Sequence, residues 1–207
     1  MSRLIIGLTG GIASGKTAAT RAFEAHGIVV ADADLAAREA VAVGSAGLEA
    51  VVARFGAGAL AADGGLDRRA MRERIFADPE ARTQLEAIIH PRVREALRSA
   101  CEAAGSPYAI AAIPLLAEGG RAAYPWLHRV LVIDVPVALQ MDRLLARDGI
   151  DHTLATRMIS AQASRDARLA IADDVLPNDA TLAALDARVA ALDQRYRALA
   201  AGMALQP

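Results

Sequence analysis

The residues whose spacing is most specific for chemistry are Gly10-Gly11-Ile12-Ala13-Ser14-Gly15-Lys16-Thr17. Gly10, Gly15, Lys16 and Thr17 satisfy the pattern G-x-x-x-x-G-K-[ST], a cradle for nucleoside triphosphates. Glycines let backbone N–H groups turn inward around phosphate oxygens, and a helix starting behind them offers its positive end to the anion. Lys16 would reach the β- and γ-phosphates, and the Thr17 hydroxyl would ligate Mg²⁺. Residues 10–17, with Ala18 at the helix start, are thus the candidate ATP-binding segment. The chain contains 22 arginines and one lysine, which is Lys16. Arginine is a large planar fork, whereas a phosphate loop takes a compact point charge, so the placement of that lysine is informative.

Asp32 and Asp34 follow the apolar run Ile28-Val29-Val30. In open α/β sheets the carboxyl ends of strands face the ligand crevice. A carboxylate there can accept a proton from an attacking hydroxyl or hold Mg²⁺ through water. The same residues also suit a structural turn, with Asp34 as a helix N-cap. Asp134, after Val130 to Ile133, fits a metal-binding aspartate at a strand end, and Asp34 is the other candidate. Arg143 and Arg147 are four apart and share one helix face. With Arg157, Arg165 and Arg168 beyond them, they read as a flap that neutralises a transferring phosphoryl group and excludes water. His90-Pro91 falls at an expected helix break.

These side chains need elements to carry them. Leu4 to Leu8 reads as a buried strand, followed by a helix over Thr17 to Ala25. Strands are expected at Ile28 to Val30, Tyr108 to Ile113, Val130 to Ile133 and Val175-Leu176. Helices are expected at 35–41, 48–55, 66–76, 79–89, 91–104, 137–147, 153–162 and 181–203, with Pro91 separating the fourth from the fifth. Strands alternating with helices imply a parallel sheet covered on both faces. The helical stretch 44–105 is too long for a crossover and reads as an insertion for a second substrate. The fold class is therefore α/β: a three-layer P-loop kinase core (1–43 and 106–207) with a five-stranded parallel sheet, a helical insertion and a helical lid at about 143–170.

Composition narrows the classes. A formal net charge of −1 gives no basic excess for nucleic acid. With few aromatic residues the core is expected to be aliphatic. The single cysteine, Cys101, forms no intrachain disulfide and reads as packing. No secretory leader or membrane span is visible, so a cytoplasmic protein is expected, as a monomer or weak homo-oligomer. A guanine-reading N-K-x-D motif is excluded, because the one lysine is in the glycine loop.

Taken in order, several motifs resemble the dephospho-coenzyme A kinase family over nearly the whole chain. They are Leu8-Thr9-Gly10-Gly11-Ile12 with Ser14-Gly15-Lys16-Thr17, Asp32-Ala33-Asp34, Leu66-Asp67-Arg68-Arg69, Ile89-His90-Pro91, and Pro114-Leu115-Leu116 with Glu118. Arg143 with Arg147, Gln162, and Ala172-Asp173-Asp174-Val175 with Asn178 complete the set. The resemblance implies transfer of the ATP γ-phosphate, with Mg²⁺, to the ribose 3′-hydroxyl of dephospho-CoA, and a coenzyme-A-binding role for 44–105. It implies that Asp34 is the catalytic base and a metal-side carboxylate, with Lys16, Arg143 and Arg147 also catalytic. Asp32, His90, Pro91, Leu115, Leu116 and Glu118 fall where the acceptor binds, and Asn178 near the adenine of ATP. The family has glycine where this chain has Ala13, which is accommodated if φ there is negative. It has an aromatic at Ala117, and a glycine after Asn178 where Asp179 and Ala180 stand.

Overall fold

The structure is a computed structural model and describes residues 3–204. Five strands form one sheet in the order β2-β3-β1-β4-β5. β1 spans Ile5–Gly10, β2 Val29–Asp32, β3 Ala109–Ala112, β4 Arg129–Asp134 and β5 Asp174–Pro177. β1 pairs in parallel with β3 and β4, and β4 in parallel with β5. All six residues of β1 are buried, as expected for a central strand covered on both faces. β5 alternates buried and exposed residues and ends at Pro177, in keeping with an edge position. This is the expected five-stranded parallel sheet.

β1 runs further than its apolar residues suggest, because Gly10 still pairs with Ile133 of β4. A Cβ at Gly10 would lie 2.7 Å from both the Ile133 carbonyl oxygen and Ser14 Oγ. The first glycine of the motif is thus part of the sheet, and the chain turns directly from the central strand into α1 (Lys16–Ala25).

The remaining helices are α2 (Ala33–Glu39), α3 (Ala46–Phe55), α4 (Arg68–Ala77), α5 (Pro79–Ala103), α6 (Leu116–Gly119), α7 (Val137–Asp148), α8 (His152–Ser160), α9 (Arg165–Ala170) and α10 (Leu182–Ala204). α5 corrects an expectation, since it continues through Pro91 rather than ending at Ile89. Proline removes its own N–H, the donor that would reach Ala87, and its ring crowds that carbonyl. The neighbouring Ile88 carbonyl also accepts from Arg92 Nη1 at 2.6 Å, and the buried residues Leu85, Val93 and Leu97 line both halves. Packing on both sides of the proline holds one helix.

The chain divides into two compact units, residues up to 31 with those from 100 onward, and Asp32–Ser99. The helical unit begins at Asp32, earlier than the 44–105 stretch suggests. Val41, just beyond α2, packs in its apolar cluster with Val51, Phe55, Ala59, Met71, Ala81 and Leu85. Arg74 stacks its guanidinium 4.9 Å from the Phe55 ring and donates to the Phe55 carbonyl.

The core of the sheet unit is aliphatic along the strands but has an aromatic centre that composition hid. Phe23, Tyr108 and Tyr196 are fully buried and meet edge to face, at 6.5 and 5.4 Å. Each tyrosine hydroxyl finds a carboxylate: Tyr108 donates to Asp193 and Tyr196 to Asp174. Cys101 is fully buried, and burial, with the charge of Glu102 adding, pushes its thiol up to about 12. A neutral packing thiol follows. Among the described residues no helix is long and apolar enough to cross a membrane.

Asp174 ties β4, β5 and α10 together. It accepts from Arg129 Nε (2.7 Å), Arg195 Nη1 (2.7 Å) and Tyr196 Oη (3.0 Å). Burial works to raise its pKa, but hydrogen bonds from Arg129 and Tyr196 and the charges of Arg129 and Arg195 outweigh it, and the pKa lies below the ordinary carboxylate value. A depressed folded pKa contributes stability that is present above the unfolded value of about 4 and is lost as pH falls through the folded value. Asp174→Asn is expected to cost about 3 kcal/mol at neutral pH, because it strands the Arg129 guanidinium. It should also flatten the acid limb of the stability profile below about pH 4. Denaturant unfolding at a series of pH values measures both, and an unchanged acid limb would contradict the assignment.

Candidate active site

The turn from β1 to α1 is held largely by its carbonyls. Lys16 Nζ donates back to Gly10 O (2.8 Å) and Gly11 O (3.1 Å). Gln140 Nε2 of α7 donates to Ile12 O at 2.8 Å. Asn178 Nδ2, just after β5, donates to Ser14 O at 2.7 Å. The Ile12 N–H is received by Gln162 Oε1, just after α8, at 2.7 Å. Gly15 takes φ 89°, and a Cβ there would lie 2.2 Å from Asn178 Nδ2. A Cβ at Gly11 would lie 2.2 Å from Gln140 Nε2 and 2.8 Å from Arg168 Nη2. These glycines are required by side chains packed onto the loop as well as by phosphate access.

Thr17 is exposed in the first turn of α1. Arg143 donates to the Asn178 carbonyl at 2.9 Å, so it leans on the same support. Arg147, on the next turn, is exposed and pairs with the adjacent Asp148 at 2.7 and 2.9 Å. Asp134 ends β4 and holds Arg165 through two hydrogen bonds of 2.8 and 2.7 Å. Its carboxylate is therefore occupied by a cation of the chain itself. Glu118 Oε1 accepts the Ala163 N–H at 2.8 Å, which ties the segment between α8 and α9 to α6. Arg168 is buried, its Nη1 donates to Ala163 O, and desolvation lowers its pKa.

In the helical unit, Asp32 rather than Asp34 is the N-cap of α2: its Oδ1 accepts from Asp34 N (2.7 Å) and Leu35 N (3.1 Å). The Asp34 side chain is exposed in the first turn of α2. His90 and Pro91 are exposed on the continuous α5, not at a break.

The family model described as dephospho-CoA kinase matches residues 4–184. The chain belongs to the dephospho-CoA kinase family. A dephospho-CoA kinase of Xanthomonas oryzae pv. oryzae is 58% identical over 199 residues, covering 96% of this chain and 98% of that protein. A solved structure from Thermus thermophilus superposes with a TM-score of 0.78 at 31% identity, covering 94% of this chain and 98% of that one. A dephospho-CoA kinase structure from Campylobacter jejuni gives 0.71 at 24% identity, covering 94% and 97%, and supports the fold.

Within this kinase family member, Leu116 and Asn178 are both buried. Leu116 is fully buried, with its side chain against Gly7 of β1, and is part of the core. Leu115, beside it, is 54% exposed and remains available to a ligand. Asn178 is buried and its amide nitrogen is used by Ser14 of the loop, so it supports the phosphate cradle directly. Gln140 had no signal in the sequence, because a buried glutamine on an amphipathic helix has no motif. The short helix α9 was also missed, although Ser164, whose Oγ accepts the Ala167 N–H, marks its start.

Ala13 overturns the expectation of negative φ. It has φ 56° and is the one non-glycine residue with positive φ among the described residues. The left-handed region costs a residue with Cβ about 1–2 kcal/mol. Glycine removes that strain but adds unfolded-state entropy of about 0.5–1 kcal/mol. Ala13→Gly is therefore expected to stabilise the protein by about 0.5–1 kcal/mol, read from denaturant unfolding. A loss of stability would place the strain elsewhere. Gly15→Ala should abolish nucleotide binding, checked by titration with a fluorescent ATP analogue, because the methyl meets Asn178 at an already left-handed position.

Proposed function

We infer that the chain phosphorylates dephospho-CoA with ATP, giving CoA and ADP. The observation that carries this reading is the family match over residues 4–184, within which Gly10–Thr17 forms the strand-to-helix turn of a phosphate loop.

The proposed step is direct transfer. The ribose 3′-oxygen attacks the γ-phosphorus, the bond to the bridging oxygen of ADP breaks, and the hydroxyl proton passes to the Asp34 carboxylate. Lys16 and the N-terminus of α1 stabilise charge on the phosphoryl oxygens. Arg143 and Arg147, on one face of α7, neutralise the phosphates as the lid segment excludes water. Asp32 orders the first turn of α2 and so positions Asp34. Asp32, His90, Pro91, the exposed Leu115 and Glu118 are the proposed acceptor-binding residues, residues 44–105 the proposed coenzyme-A-binding insertion and about 143–170 the proposed lid.

Mg²⁺ is proposed as the ion that accompanies ATP. Among the described residues there is no group of three or more His, Cys, Asp or Glu able to hold a metal. An ion carried with a nucleotide needs only one or two protein ligands beside phosphates and water. Thr17 and Asp34 would hold it, and it would neutralise charge on the β- and γ-oxygens. The lone buried Cys101 supports a reducing, cytoplasmic setting. A monomer or weak homo-oligomer is the accompanying proposal for assembly.

Incubation with ATP, Mg²⁺ and a panel of dephospho-CoA, AMP and CMP tests the reading. CoA formation from dephospho-CoA is expected, and turnover of a monophosphate without CoA would overturn it. Asp34→Asn should reduce turnover by about 10²–10⁴-fold while ATP affinity is retained. Unchanged turnover would remove Asp34 from the base role.

A further inference from the structure

We infer that Gln140 and Gln162 are positioning residues that aim the phosphate loop by gripping Ile12 from both sides. The inference rests on reading Gly10–Thr17 as the triphosphate cradle. Gln140 donates its amide to the Ile12 carbonyl, and Gln162 accepts the Ile12 N–H, at 2.8 and 2.7 Å. In a planar trans peptide the C=O of one residue and the N–H of the next point in opposite directions. Fixing the Ile12 carbonyl against α7 therefore turns the Ala13 N–H away from α7. Asn178 does the same two residues later, fixing the Ser14 carbonyl and thereby the Gly15 N–H.

The left-handed Ala13 follows the gripped residue. A non-glycine residue keeps that conformation only where its surroundings over-determine it, and the Gln140 and Gln162 bonds supply the constraint. The burial of Gln140 supports the same role. It is 1% exposed, yet its Oε1 has no hydrogen-bond partner among the described residues. An apolar residue would avoid the cost of a buried, half-satisfied amide. The amide is retained for its donor end, which Ile12 uses.

Gln162 adds a mechanical link. It lies between α8 and α9, beside Ala163, whose N–H is held by Glu118 and whose C=O is held by Arg168. Movement of this segment withdraws the acceptor from the Ile12 N–H. The segment between α8 and α9 and the phosphate loop thus share one hydrogen bond.

Opposite hydrogen-bond polarity at one residue gives the test. Gln140→Glu and Gln162→Glu add the same charge near Ile12. Glutamate at 162 still accepts the Ile12 N–H, whereas glutamate at 140 cannot donate to the Ile12 carbonyl. The ATP dissociation constant, measured by equilibrium titration, is expected to weaken about tenfold more in Gln140→Glu than in Gln162→Glu. KM for dephospho-CoA should stay within about threefold of wild type in both, since the loop holds ATP. Equal or reversed ATP affinities, or an effect confined to the acceptor, would overturn the grip. If circular dichroism finds Gln140→Glu unfolded, Gln140→Met removes the donor without charge. Weaker ATP binding is then expected, and wild-type affinity would overturn the proposal. Wild-type protein that binds ATP but forms no CoA would refute the functional reading while leaving the grip to be judged on the dissociation constants.

Discussion

A loop that binds phosphate through its own N–H groups has to be held in shape by something other than those groups. The turn between β1 and α1 meets this constraint through its carbonyls. Those of Gly10 and Gly11 are held by Lys16, that of Ile12 by Gln140 and that of Ser14 by Asn178. Peptide planarity converts each held carbonyl into a directed N–H on the next residue. Much of the rest of the sheet unit can be understood as the scaffold that delivers these side chains to one short turn.

Their delivery depends on strand order. β1 is central, so its carboxyl end is flanked by β4, from which α7 follows with Gln140 and Arg143. β5, beside β4, ends just before Asn178, whose N–H is bonded to the Asp134 carbonyl at the end of β4. The same pair of strands is locked at its other end by Asp174 with Arg129, Arg195 and Tyr196. A buried carboxylate with several donors is costly to disturb, which makes this corner a rigid base for the residues at the opposite edge.

Charge is distributed unevenly around the loop. Asp134 and Glu118, two acids near α9, are engaged by Arg165 and by the Ala163 N–H. Arg168 is buried, and no carboxylate among the described residues is bonded to it. Its guanidinium packs against Gly11, which leaves a cation next to the segment that receives a polyanion. Desolvation of a guanidinium is offset when such an anion binds, so the neighbourhood is organised for a charged ligand.

Local chemistry in the sequence was enough to locate the loop, because Gly10, Gly15, Lys16 and Thr17 act through backbone freedom and charge at fixed offsets. Alternating apolar runs and helical stretches were enough for the parallel α/β architecture, since burial on both faces leaves a direct mark on composition. Side-chain partners at long separation left no such mark. Gln140 and Asn178 reach residues 128 and 164 positions away, and neither bond follows from any local pattern. The continuity of α5 through Pro91 and the burial of Leu116 were likewise decided by packing, which outweighed local propensity. Ala13 shows the division within one residue. Its identity marked a departure from the family's glycine, but its positive φ was set by the folded structure that holds the loop around it.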